Sequence, residues 1–213
     1  MSTEKPVKIT NQAGSLDARV LDQNPQEGMV ICHPHPLFGG TMDNKVVTTI
    51  ARAAKNSGLS TLRFNFRGVG SSDGQHDEGR GEQDDVLAVL KYAQETLGWQ
   101  KLLLVGFSFG AGMACLAATR QPELLKGLVM VAPAVHHFDA PTTLPLEFDS
   151  WVIMGDADEV VPFNEVSDWV QRVVPQPHWL VFKEGSHFFH GRLIDLRDSV
   201  IELIEQWQAS NGK

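Results

Sequence analysis

Between Lys101 and Arg120 the chain carries no charged residue, and this stretch constrains the fold more than any other. Leu102 to Thr119 is long enough to raise the question of a membrane span. Three glycines, Gly106, Gly110 and Gly112, interrupt it, and Ser108 sits at its centre. The residues before them, Leu102, Leu103, Leu104 and Val105, read as a buried strand. Those after, Ala111 to Ala118, read as an alanine-rich helix that stops near Pro122. A strand, a tight turn and a buried helix account for the run better than a bilayer does.

The same alternation extends over most of the sequence. Strands are expected at Met29–Cys32, Thr61–Asn65, Leu128–Val131, Trp151–Met154 and Trp179–Phe182. Helices are expected at Lys45–Asn56, closed by Gly58, at Glu82–Thr96 and at Glu165–Val174, entered through Pro162. A long helix, Leu193–Trp207, closes the chain. Strands alternating with helices imply βαβ units and a mainly parallel sheet. The opening differs: Val7–Ile9 and Ala18–Leu21 read as two short strands around a turn at Asn11–Ser15, an antiparallel edge. No repeat, low-complexity tract or linker divides the chain, so residues 1–213 are expected to form one domain. The one long irregular stretch, Ala134–Phe148, is too short for a folded lid.

Charge narrows the possible partners. With 18 Lys and Arg against 26 Asp and Glu the formal charge is −8, which repels polyphosphates. Nucleic acid is therefore not expected as a partner, nor is a membrane; oligomeric state is not legible. Residues Met1 to Gln12 include no apolar stretch of the secretory kind, so a cytoplasmic location is the expectation. Cys32 and Cys115 each lie in an apolar run and read as buried reduced thiols. The five tryptophans read as core.

Chemistry concentrates at three points. Gly106-Phe107-Ser108-Phe109-Gly110 is a G-x-S-x-G match with a strand before it and a helix after it. On such a turn the serine hydroxyl stands clear of the sheet, and side chains at 106 and 110 would collide with neighbouring elements. The Phe109 N–H would lie at a helix start, where free donors and the helix dipole favour a developing oxyanion. A serine needs a base within hydrogen-bond reach. His187, after the last expected strand and before the closing helix, is the candidate. Asp156 and Asp158, after the strand that ends at Met154, offer the orienting carboxylate. The chain order Ser, Asp, His matches one of the known triad orders and neither that of chymotrypsin nor of subtilisin.

Metal and phosphate readings are weaker. The histidines at 33, 35, 136, 137, 187 and 190 do not combine with a carboxylate at ligand spacing. Arg67-Gly68-Val69-Gly70 resembles a phosphate loop only superficially and is read as part of the site's rim. No metal or cofactor is expected.

Together these motifs resemble the α/β-hydrolase superfamily, in particular small, lid-less bacterial serine hydrolases in the neighbourhood of dienelactone-hydrolase-like proteins. The resemblance rests on His33-Pro34-His35-Pro36-Leu37-Phe38-Gly39-Gly40, Phe64–Ser72, the serine turn, Gly155–Pro162 and Gly185–Phe189, and so covers nearly the whole chain. It departs from dienelactone hydrolase in having serine where that enzyme uses cysteine. The resemblance implies a mostly parallel eight-stranded sheet with helices on both faces and no lid domain. It implies a Ser108–Asp158–His187 triad, with Asp158 as the fourth residue of a G-x-x-D turn ahead of Val160-Val161-Pro162. It places a second oxyanion donor in the His33–Gly40 loop. Pro34 and Pro36 have no N–H to give, which leaves His35 or Leu37, and Leu37 is favoured. The expected reaction is acyl transfer from a small ester or thioester, with a peptidase-type reaction or a non-catalytic binding role as alternatives.

Overall fold

The computed structural model describes residues 3–212. Eight strands form one sheet: β1 (Lys5–Asn11), β2 (Gly14–Leu21), β3 (Glu27–Cys32), β4 (Ser60–Phe64), β5 (Lys101–Phe107), β6 (Gly127–Val131), β7 (Ser150–Gly155) and β8 (His178–Phe182). Their order across the sheet is β1-β2-β4-β3-β5-β6-β7-β8. β1 and β2 pair antiparallel through a hairpin, with Asn11 opposite Gly14, and β2 runs antiparallel to β4. Every later pairing is parallel. The antiparallel opening and parallel remainder follow the sequence expectation.

Five helices cover the sheet: α1 (Lys45–Asn56), α2 (Arg80–Glu95), α3 (Phe109–Arg120), α4 (Phe163–Arg172) and α5 (Leu193–Asn211). Side chains alternate along each strand, so successive residues serve opposite faces. Met29, Ile31, Leu103, Val105 and Phe107 pack with α1 and α5. Val30, Cys32, Leu102 and Leu104 pack on the other face with α2, α3 and α4. Burial on both faces explains why the central strands read as unbroken apolar runs. At its Cys32 end β3 faces Gly106 of β5, so the chain leaves both strands on the same sheet edge.

Two helix boundaries differ from expectation for capping reasons. α2 begins at Arg80, two residues early, because the Glu82 carboxylate turns back to accept the Gly79 N–H at 2.9 Å. α4 ends at Arg172, where Val173 turns extended ahead of Pro175. Both cysteines are free and buried, and burial pushes the Cys115 thiol up to about 12. Four tryptophans are buried; Trp179 is only partly so and stacks on Phe163. No helix among the described residues is long and apolar enough to cross a membrane. Ala134–Phe148 folds back on the body: Phe138 lies over Gly112 of α3, and the Trp169 indole donates to the Pro141 carbonyl at 2.9 Å.

Candidate active site

Ser108 occupies the single residue between β5 and α3, with φ 56° and ψ −116°. A left-handed φ at a residue with a side chain is strained, and the surroundings hold it there. The Ser108 N–H donates to the Val131 carbonyl of β6 at 2.8 Å. A methyl group on Gly106 would sit 2.2 Å from the Gly110 carbonyl oxygen. One on Gly110 would sit 2.4 Å from the His33 carbonyl oxygen and 2.5 Å from that of Cys32. Glycine at both positions thus lets helix, strand and turn close on one another. The Phe109 N–H, at the first position of α3, donates to no atom among the described residues.

The ends of β7 and β8 bring His187 and Asp158 to this serine. Gly155 and Gly185 pack backbone to backbone, so close that a methyl on Gly155 would lie 2.0 Å from the Gly185 oxygen. His187 Nε2 is 3.1 Å from Ser108 Oγ, and its Nδ1 is 2.8 Å from Asp158 Oδ2. The other oxygen, Asp158 Oδ1, accepts the N–H groups of Val160 at 2.9 Å and Val161 at 2.8 Å. The carboxylate is therefore fixed from both sides and fully buried. This network assigns the proton to Nδ1 and leaves Nε2 as the acceptor facing the serine. Asp156 has a different partner: its carboxylate accepts the Glu184 N–H and ties the two loops together. Glu159, which the sequence reading did not single out, accepts the His187 backbone N–H at 3.0 Å. The Phe107 ring packs 5.0 Å from the imidazole.

The loop after β3 completes one wall. The buried His33 ring bridges it to the end of β4: Nε2 accepts the Phe66 N–H at 3.0 Å, and Nδ1 donates to the Pro34 carbonyl at 2.6 Å. Accepting a backbone N–H leaves no room for a second ring proton. Burial, only partly offset by the Pro34 contact, holds this imidazole at about 4. Asn65 Oδ1 accepts the Met42 N–H at 2.9 Å and anchors the far end of the loop. Arg67, read from sequence as part of the rim, is clasped by the buried Asp85 at 2.7 Å. The sequence gives little sign of these roles, because His33 and Phe66, Asn65 and Met42, and Arg67 and Asp85 lie 33, 23 and 18 positions apart.

Within that loop the structure corrects the choice of second oxyanion donor. The Leu37 N–H donates to Nδ1 of His35 at 3.2 Å, and Leu37 itself is 69% exposed. The His35 backbone N–H donates to no atom among the described residues. His35, not Leu37, therefore offers the free donor. The Pro36–Phe38 turn is 3₁₀, which lets the His35 side chain cap it and consume the Leu37 donor. Burial, then the charges of His76 and His137, hold the His35 imidazole below the usual histidine range.

Cavity size does not mark this centre. A cleft of about 630 Å³ lies between α1 and β4 and contains none of these residues. A cleft of about 470 Å³ between the start of α2, α3 and the Val135–His137 turn, with Gly79, Met113 and His137 in its walls, contains none of them either.

Comparison with known proteins agrees with this architecture. A family model described as alpha/beta hydrolase fold matches residues 30–179. A lid-less α/β serine hydrolase from Xanthomonas campestris superposes with a TM-score of 0.89 at 36% identity, covering 97% of this chain and 96% of that one. An α/β serine hydrolase homologue from Coxiella burnetii gives 0.86 at 40% identity, covering 95% and 97%. An uncharacterized protein of Rickettsia prowazekii (strain Madrid E) is 35% identical over 183 residues, 82% of this chain and 77% of its own length. The chain belongs to the α/β-hydrolase fold family.

Proposed function

We propose that the protein is a serine hydrolase that cleaves a small ester or thioester through an acyl-enzyme on Ser108. The observation that carries this is the continuous hydrogen-bonded line Ser108–His187–Asp158 behind a hydroxyl held on a left-handed turn. His187 Nε2 takes the Ser108 proton as Oγ attacks the carbonyl, and Asp158 stabilises the imidazolium that forms. The N–H groups of Phe109 and His35 receive the oxyanion. His187 then protonates the leaving group, and water repeats the sequence on the acyl-enzyme. The (thio)ester reading has support from the mitochondrial palmitoyl-protein thioesterase ABHD10 of Rattus norvegicus. That protein is 35% identical over 102 residues, which is 46% of this chain but 33% of that one. An amide, with its poor amine leaving group, needs tighter substrate positioning than an ester does.

A fluorophosphonate probe tests the proposal. One adduct is expected, on Ser108 by peptide mass spectrometry, and Ser108→Ala should lose both the adduct and esterase turnover. An adduct on a different serine, or turnover surviving in the variant, would end it.

A further inference from the structure

Beside the two free N–H donors lies a group of titratable side chains that acyl transfer does not use. The ring of His35 is 5.1 Å from that of His76 and 4.8 Å from that of Phe109, and His76 is 5.8 Å from Phe109. Behind His76 stands Glu82, whose side chain is fully buried. Its carboxylate accepts the N–H groups of Asp77 and Gly79, each at 2.9 Å, and lies 2.7 Å from His76 Nδ1. That last contact has ion-pair distance without hydrogen-bond alignment. The other cation within Glu82's field, Arg67, is already held by Asp85. A buried carboxylate costs several kcal/mol unless a cation or donors meet it; two backbone N–H groups do so here, and His76 is the side chain that can add a positive charge beside them.

The bonding of each Nδ1 decides what each Nε2 can offer. His35 Nδ1 accepts the Leu37 N–H, so the His35 proton is on Nε2. His76 Nδ1 lies against a carboxylate, and Nε2 becomes a donor beside a proton on Nδ1 only in the imidazolium form. Neither Nε2 has a partner among the described residues. The His35 Nε2–H, and the Nε2–H that His76 has in its imidazolium form, are thus side-chain donors next to the Phe109 ring.

We propose that His35 and His76 form a subsite for a carboxylate carried by the substrate, with His76 bridging that carboxylate and the buried Glu82. The inference rests on the serine-hydrolase reading and narrows its substrate class to acidic esters or thioesters. His35 contributes its side chain here and its main chain to the oxyanion.

Two matched substrate pairs test the subsite, one for each side of the scissile bond. On the alcohol side, 3-acetoxybenzoate is compared with its methyl ester. On the acyl side, 4-nitrophenyl hydrogen adipate is compared with 4-nitrophenyl methyl adipate. The readout is the ratio of kcat/KM, charged over neutral, relative to the same ratio for hydrolysis in buffer. At least one pair should show a preference of about tenfold or more, the worth of a charge-assisted hydrogen bond. That preference should collapse towards the buffer ratio in His76→Gln and His76→Asn. Benzoate should also inhibit the wild-type protein competitively against a neutral ester, while benzyl alcohol should not, a test that needs no variant. No preference in either pair, or one that survives both substitutions, overturns the subsite. If neutral esters turn over and Ser108 labels, only the subsite has failed. If neither happens, the hydrolase reading has failed and the subsite with it.

Discussion

Asp156 and Asp158 sit two residues apart on one turn, yet their carboxylates meet different partners. Asp158 is buried, takes the imidazole on one oxygen and two backbone N–H groups on the other. Asp156 is exposed and caps the Glu184 N–H. An amide at 158 would keep the shape but replace an acceptor with a donor facing Nδ1–H, favouring the wrong tautomer. Asp158→Asn should therefore leave a folded protein with kcat down by roughly 10³ to 10⁴. Asp156→Asn should cost far less activity and about 1 kcal/mol of stability. Turnover numbers and thermal midpoints of both variants decide it; a dead Asp156→Asn beside a healthy Asp158→Asn would reverse the assignment. The resemblance to the α/β hydrolases favours Asp158, through the G-x-x-D pattern ahead of Val160-Val161-Pro162. The reason for it, the paired N–H donors of Val160 and Val161, appears only in three dimensions.

At the scale of an element, the loop after β3 is a rigid piece held by one neutral histidine. His33 stands near 4 when folded against a reference of about 6.5. A depressed histidine means that the unfolded chain binds more protons between those values. The stability it contributes is therefore complete above about pH 6.5 and is lost as pH falls towards 4, an effect of about 3 kcal/mol. Thermal midpoints measured from pH 4 to 7 should fall more steeply on the acid side in the wild-type protein than in His33→Asn. Equal slopes would show that His33 is not the group that ties the loop to β4. The strand–turn–helix around Ser108 was readable because its glycines and apolar runs are local. The loop was not: the sequence showed only which positions lack an N–H. The 3₁₀ turn that occupies the Leu37 donor is set by where the His35 ring can reach.

For the whole molecule, the decisive feature is what lies over the sheet's C-terminal edge. Ala134–Phe148 is anchored beside α3 and α4, through Phe138 on Gly112 and Trp169 on Pro141, and builds no separate domain. Leu37 and Phe38 flank the site largely exposed. With no cover to displace, activity should show no jump when substrate passes from monomers to micelles or droplets, and short acyl chains should be preferred. Rates for esters of graded chain length, measured across their solubility limits, check both points. A sharp interfacial rise would mean that a part of the chain moves to uncover Ser108.

What the sequence determined by itself is the set of features written in neighbouring residues. Those are the alternation of apolar strands and helices, the serine turn between glycines, and the order of Ser108, the Asp156 and Asp158 pair, and His187 along the chain. They follow from side-chain periodicity and backbone freedom, which act over a few residues. The tertiary structure alone decided which donors and charges remain unpaired. His33 reaches Phe66, Glu159 holds the His187 backbone, and Glu82 meets His76 beside His35. Those pairings depend on how strands stack in the sheet and on which polar groups burial then forces together, and local sequence carries no record of either.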